Sequence, residues 1–155
     1  MKVGETERDF LVTEALALAD QLPDGERRHA LQEIAWAAEQ GEVPEEWDGT
    51  VGELISLALE TGRARSVHGP PGVRALVSLW RETPQGQETI RAITDLNEAL
   101  GALKGLAIDG VRVSATGPGS YTVSIAAGDY EMRLSFDRAG IRLQSINVGG
   151  GGIGE

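Results

Sequence analysis

Cysteine is absent from the 155-residue chain, so neither a disulfide nor a thiolate site is open to it. The opening Met1-Lys2-Val3-Gly4-Glu5-Thr6-Glu7 lacks the basic stretch of a secretory signal. No run of about 18 apolar residues offers a membrane span. The expected setting is the cytoplasm, with no membrane partner. Lysine is nearly missing: only Lys2 and Lys104 accompany the arginines. With many Ala and Gly, that bias points to a GC-rich bacterial genome.

Catalytic stock is equally thin. There are two histidines, His29 and His68. No Gly-x-Ser-x-Gly elbow occurs, and Ser120 in its Pro-Gly turn has no neighbouring histidine. Gly117-Pro118-Gly119 lacks the Lys-Ser/Thr of a phosphate-binding P-loop and does not open a helix. Glu26-Arg27-Arg28-His29 contains one Glu-x-x-His, whereas di-iron bundles need two plus further carboxylates. No catalytic residue, no metal and no cofactor is therefore expected, and the inventory leans away from an enzyme.

What the chain has in excess is acid. The formal net charge is −10, and residues 1–50 carry 13 acidic against 4 basic side chains, net −9. Such a field repels nucleic-acid phosphates, so no nucleic-acid partner is expected. It can steer a basic protein partner, or simply keep a helical surface solvated.

Hydrophobic spacing predicts five helices. Leu11, Ala15, Leu18 and Leu22 mark the first, over 6–22, with Thr6 as cap. Leu31, Ile34, Ala35 and Ala38 mark the second, over 24–40, with Asp24 as cap. Thr50-Val51-Gly52-Glu53 has capping-box spacing and introduces a third helix ending at Gly62. Residues 63–69 read as a basic connection, and Pro71 starts a fourth helix that ends at Pro84. Ile93, Leu96, Leu100 and Leu103 give a fifth helix, over about 86–104, a narrow apolar seam. Trp36 and Trp80 are expected in the core.

The period then changes to two. Val111–Ala115, Tyr121–Ala127, Tyr130–Phe136 and Ile141–Gln144 alternate apolar and polar residues, and the phase slips at Ser145-Ile146, the mark of a bulge or strand end. Short Gly-containing turns join these segments, so they form a four-stranded antiparallel meander. The expected class is thus α+β: an N-terminal bundle of about five helices, then a β-meander packed on the last helix. Its divisions are an acidic helical region over 1–84, helix plus meander over 85–148, and a flexible Gly-rich tail over 149–155. A core shared by the first two is expected.

Two stretches are candidate sites. Arg63, Arg65, Ser66 and His68 precede the predicted fourth helix and Arg74 lies in its first turn, a pattern suited to an anionic ligand. The alternative is a surface linker whose arginines pair with the acidic first segment. Glu45-Glu46-Trp47-Asp48 places a tryptophan among acids, a pattern suited to a partner contact; equally, Trp47 can cap the bundle. The free edges of the meander can pair with another chain or with a second copy. The functional expectation is a non-enzymatic protein-interaction module: a bacterial accessory or adaptor subunit, or an acidic inhibitor or immunity-type protein. The alternatives are a small anionic-ligand-binding protein and a self-assembling subunit.

Overall fold

The structure, a computed structural model, describes residues 1–149. Five helices precede four strands: α1 (Glu5–Ala19), α2 (Glu26–Glu39), α3 (Asp48–Glu60), α4 (Arg63–Glu82), α5 (Pro84–Gly101), β1 (Gly110–Gly117), β2 (Ser120–Ala127), β3 (Tyr130–Asp137) and β4 (Gly140–Val148). A short 3-10 turn, Glu45–Trp47, leads into α3. The strands form one antiparallel sheet in the order β1-β2-β3-β4, so the class is α+β with a meander, as the alternation implies. The Gly-rich tail lies, beyond Gly149, outside the described residues. No described helix is long and apolar enough to cross a membrane.

The chain divides into two compact units, Met1–Glu88 and Thr89 onward. Buried apolar residues follow the same division. Leu11, Leu31, Ile34, Val51, Ile55, Leu76 and Leu79 belong to one cluster. Leu96, Met132 and Leu134 form another, with Leu100, Leu103, Val123, Ile125, Phe136 and Ile141 against it. The shared core expected from the sequence is replaced by one cluster in each unit. Leu96, Leu100 and Leu103 of the predicted α5 stripe pack in the sheet's cluster, whereas Ile93 is 42% exposed.

Several local expectations give way to other solutions. Neither Thr6 nor Asp24 caps a helix: the N-cap positions are Gly4 and Gly25, without side-chain cap bonds. Asp24 instead accepts a hydrogen bond from Arg28 at 2.7 Å. The Thr50–Glu53 box does not form, because α3 has already started at Asp48. Thr83 does cap. It is fully buried, its hydroxyl donates to the Trp80 carbonyl (2.6 Å), and the Gly86 amide donates to it (3.3 Å). Pro84 follows at the first helical position, where its missing N–H costs nothing.

Residues 63–68 are helical rather than a connection. Gly69, at φ 65° and ψ −168°, breaks α4 before Pro70 and Pro71 restart it. A residue preceding proline is driven out of the helical region, and glycine takes the left-handed φ at no steric cost.

Trp36 is 64% exposed, not in the core. At 100° per residue it lies about 200° round the helix from Ile34, on the opposite face from the buried stripe. Trp80 is half-buried against the helical core, and its indole donates to Ser56 Oγ at 3.1 Å.

In the sheet, the phase slip resolves into a bulge. Arg133 pairs with Ser145 and Leu134 with Leu143, so Gln144 is the extra residue. The bulge returns Ile146 to the face of its partner Met132.

Candidate functional site

The predicted anion-binding residues do not converge on one point. Arg63 and His68 both turn to Glu14, a residue of α1. Arg63 Nε donates to Glu14 Oε2 at 2.8 Å, and His68 Nε2 lies 2.7 Å from Glu14 Oε1. Arg65 and Arg74 are exposed and take no part in this cluster. Ser66 is also exposed, its hydroxyl donating to the Arg63 carbonyl at 3.1 Å. The restarted half of α4 begins with two prolines, which contribute no amides to an anion there.

Glu14 is the residue that the sequence reading missed. It sits in the apolar stripe of α1, three residues after Leu11 and beside Ala15, and is 2% exposed. A carboxylate so placed is tolerated only with donors in position. Its partners come from a sequence separation of about 50 residues, which no local pattern reveals. The visible signal is an acid inside an otherwise apolar helical stripe.

His68 is held on its other side by an edge contact with Phe10, ring centroids 5.0 Å apart. Gly72 leaves room for it, since a Cβ there would overlap the His68 Cβ. The Arg63 side chain remains 38% exposed. It borders a cleft of about 250 Å³ whose walls include Glu14, Leu18, Leu54, Leu57 and Thr61.

In the acidic partner candidate, Glu45 and Glu46 are exposed, while Trp47 and Asp48 are half-buried. Trp47 packs against the helical core. Asp48 Oδ1 is 3.7 Å from the Met1 amino group, which also donates to the Val43 carbonyl at 2.6 Å. Among the described residues, no group of three or more His, Asp or Glu is arranged to hold a metal.

The second unit presents a different surface. Residues directly opposite in an antiparallel pair share a face. Val111 pairs with Ile125 and Val113 with Val123; these in turn pair with the buried Met132 and Leu134. Val111 and Val113 are therefore on the apolar face covered by α5, yet they are 60% and 65% exposed. The cause is geometric. Four strands about 4.8 Å apart span about 14 Å between outer axes, whereas one helix covers about 10 Å. The large buried side chains of that face, Met132 and Leu134, lie on β3, two strands away, and every β1 residue except Gly117 is exposed. The edge and the bare face coincide. Compared with protein-family models, curated proteins and solved structures, the chain matches none.

Proposed function

We propose that the protein is a non-enzymatic protein-interaction module, an accessory or adaptor subunit, that engages another chain along β1 and the uncovered apolar face beside it. The observation that carries this reading is the coincidence on one strand of an edge unpaired among the described residues with two large exposed apolar side chains, Val111 and Val113. Added strands bind through main-chain hydrogen bonds and gain specificity from alternate side chains. Natural sheets that avoid such pairing blunt their edges with charge, whereas here the only charged side chain of β1 is Arg112.

The test is light scattering of the full chain, from its native host, at low and high salt, beside a Val111→Lys/Val113→Glu variant. An association that survives high salt and is lost in the variant is expected. A monomer without partner under both conditions overturns the reading. So does a variant that associates as the wild type does.

A second reading rests on charge. Residues 1–88 hold 17 acidic and 8 basic side chains, net −9, a surface suited to an acidic inhibitor or immunity-type protein facing a basic partner. That complex would dissociate as salt rises, so the same measurement separates the two.

A further inference from the structure

We infer that the cleft bounded by α1, α3 and Arg63 binds a short aliphatic monocarboxylate, a role independent of the sheet edge. Its apolar wall is formed by Leu18 from α1 and Leu54, Leu57 and Ala58 from α3, and Glu14, Gln21 and Thr61 line it beside Arg63. Its polar end is the Arg63 guanidinium. Glu14 holds that group through Nε alone, and the two terminal nitrogens have no partner among the described residues. A guanidinium with both terminal nitrogens free takes a carboxylate in a two-point fork. Because Glu14 already fixes the side chain, little rotamer freedom is left to lose on binding. Glu14 also lines the cleft, but it is 2% exposed and both its oxygens are engaged by Arg63 and His68.

Size and charge narrow the class. At about 30 Å³ per water-sized group, a cleft of about 250 Å³ holds roughly eight non-hydrogen atoms, the size of hexanoate. The net −9 of residues 1–88 disfavours multiply charged anions such as phosphate. One negative charge with an apolar tail is what the cleft accommodates.

The experiment is an NMR titration of the full chain with acetate, butyrate, hexanoate and octanoate, and with hexanol and phosphate as controls. It follows the Leu54 and Leu57 methyls and the Ala58 amide. Affinity is expected to rise about fourfold per added methylene, the equivalent of ~0.8 kcal/mol, and to level off beyond hexanoate. Hexanol and phosphate should bind at least about tenfold more weakly than hexanoate, the alcohol having lost a charge-assisted hydrogen bond. Arg63→Gln should weaken hexanoate by a similar factor. Leu57→Asp, at an exposed wall position that leaves the Glu14 pairing intact, should do the same. Arg65→Gln, an equal charge change outside the cleft, should leave binding unchanged. Absence of saturable shifts, equal binding of hexanol and hexanoate, or wild-type affinity in both Arg63→Gln and Leu57→Asp would overturn the inference.

Discussion

Glu14 places a carboxyl group inside the helical unit, and its two oxygens are answered by two different side chains, Arg63 and His68. Alanine at this position removes both acceptors and leaves Arg63 Nε and His68 Nε2 without their partner. Glu14→Ala is expected to destabilise the helical unit by about 1–3 kcal/mol, the cost of an unsatisfied buried polar group. Arg63→Ala should cost less than a fully buried partner would, because the Arg63 side chain is partly exposed and screened. Urea denaturation followed by tryptophan fluorescence measures both, and the double variant should be non-additive. This cluster marks the limit of reading single residues from sequence. Arg63 and His68 stood out by composition, but their carboxylate partner is remote in the chain. Trp36 shows the converse: its neighbours Ile34 and Ala35 are core, yet its own angle on the helix turns it outward.

Whole elements were more legible than their ends. The stripes that define α1 to α3 and the alternation of β1 to β4 recur over several turns or pairs, so many residues vote for the same answer. Caps depend on one hydroxyl or carboxylate, and here most of the plausible ones lose to a neighbouring start point. The α4–α5 junction is the exception. The Thr83 hydroxyl, Pro84 and Gly86 together turn the chain within a few residues, and a Cβ at Gly86 would overlap the Trp80 carbonyl. Gly86→Ala is therefore expected to destabilise by about 1–3 kcal/mol by overpacking, despite alanine's better helix propensity. Gly101→Ala on the same helix, where nothing lies within 4 Å of the added methyl, should be neutral or stabilising. Thermal unfolding of the pair decides between steric conflict and propensity. The position of the bulge was nearly readable, as a break in alternation beside Gln144, because a bulge is the local event that reverses side-chain phase.

At the scale of the molecule, the buried apolar residues fall into two clusters, one in each unit, where a shared core was expected. Composition cannot distinguish these cases, because both bury similar residues. The difference lies in which apolar stripes face each other. Separate cores predict separate transitions, and the aromatic residues provide the means to see them. Trp36, Trp47 and Trp80 all belong to the first unit, and the second has Tyr121 and Tyr130 instead. Tryptophan fluorescence should thus follow only the helices, while amide exchange of β2 and β3 follows the sheet. Met132→Ala, removing a fully buried side chain, is expected to lower the sheet's stability by about 2–5 kcal/mol without moving the fluorescence midpoint. A fluorescence midpoint that shifts by the same amount would mean that the units unfold as one.

The division between the units at Glu88 and Thr89 falls inside a helix, α5, and not in a linker. Domain boundaries that evolution recombines lie in exposed segments crossed by few interactions. Here any cut leaves damaged ends. A fragment ending at Glu88 keeps the Thr83 cap and barely one helical turn, too short to hold itself in water. A fragment starting at Thr89 keeps the apolar seam but loses the cap and proline that begin the helix. The two halves are therefore poor material for shuffling into other proteins, and they should be inherited, expressed and lost together.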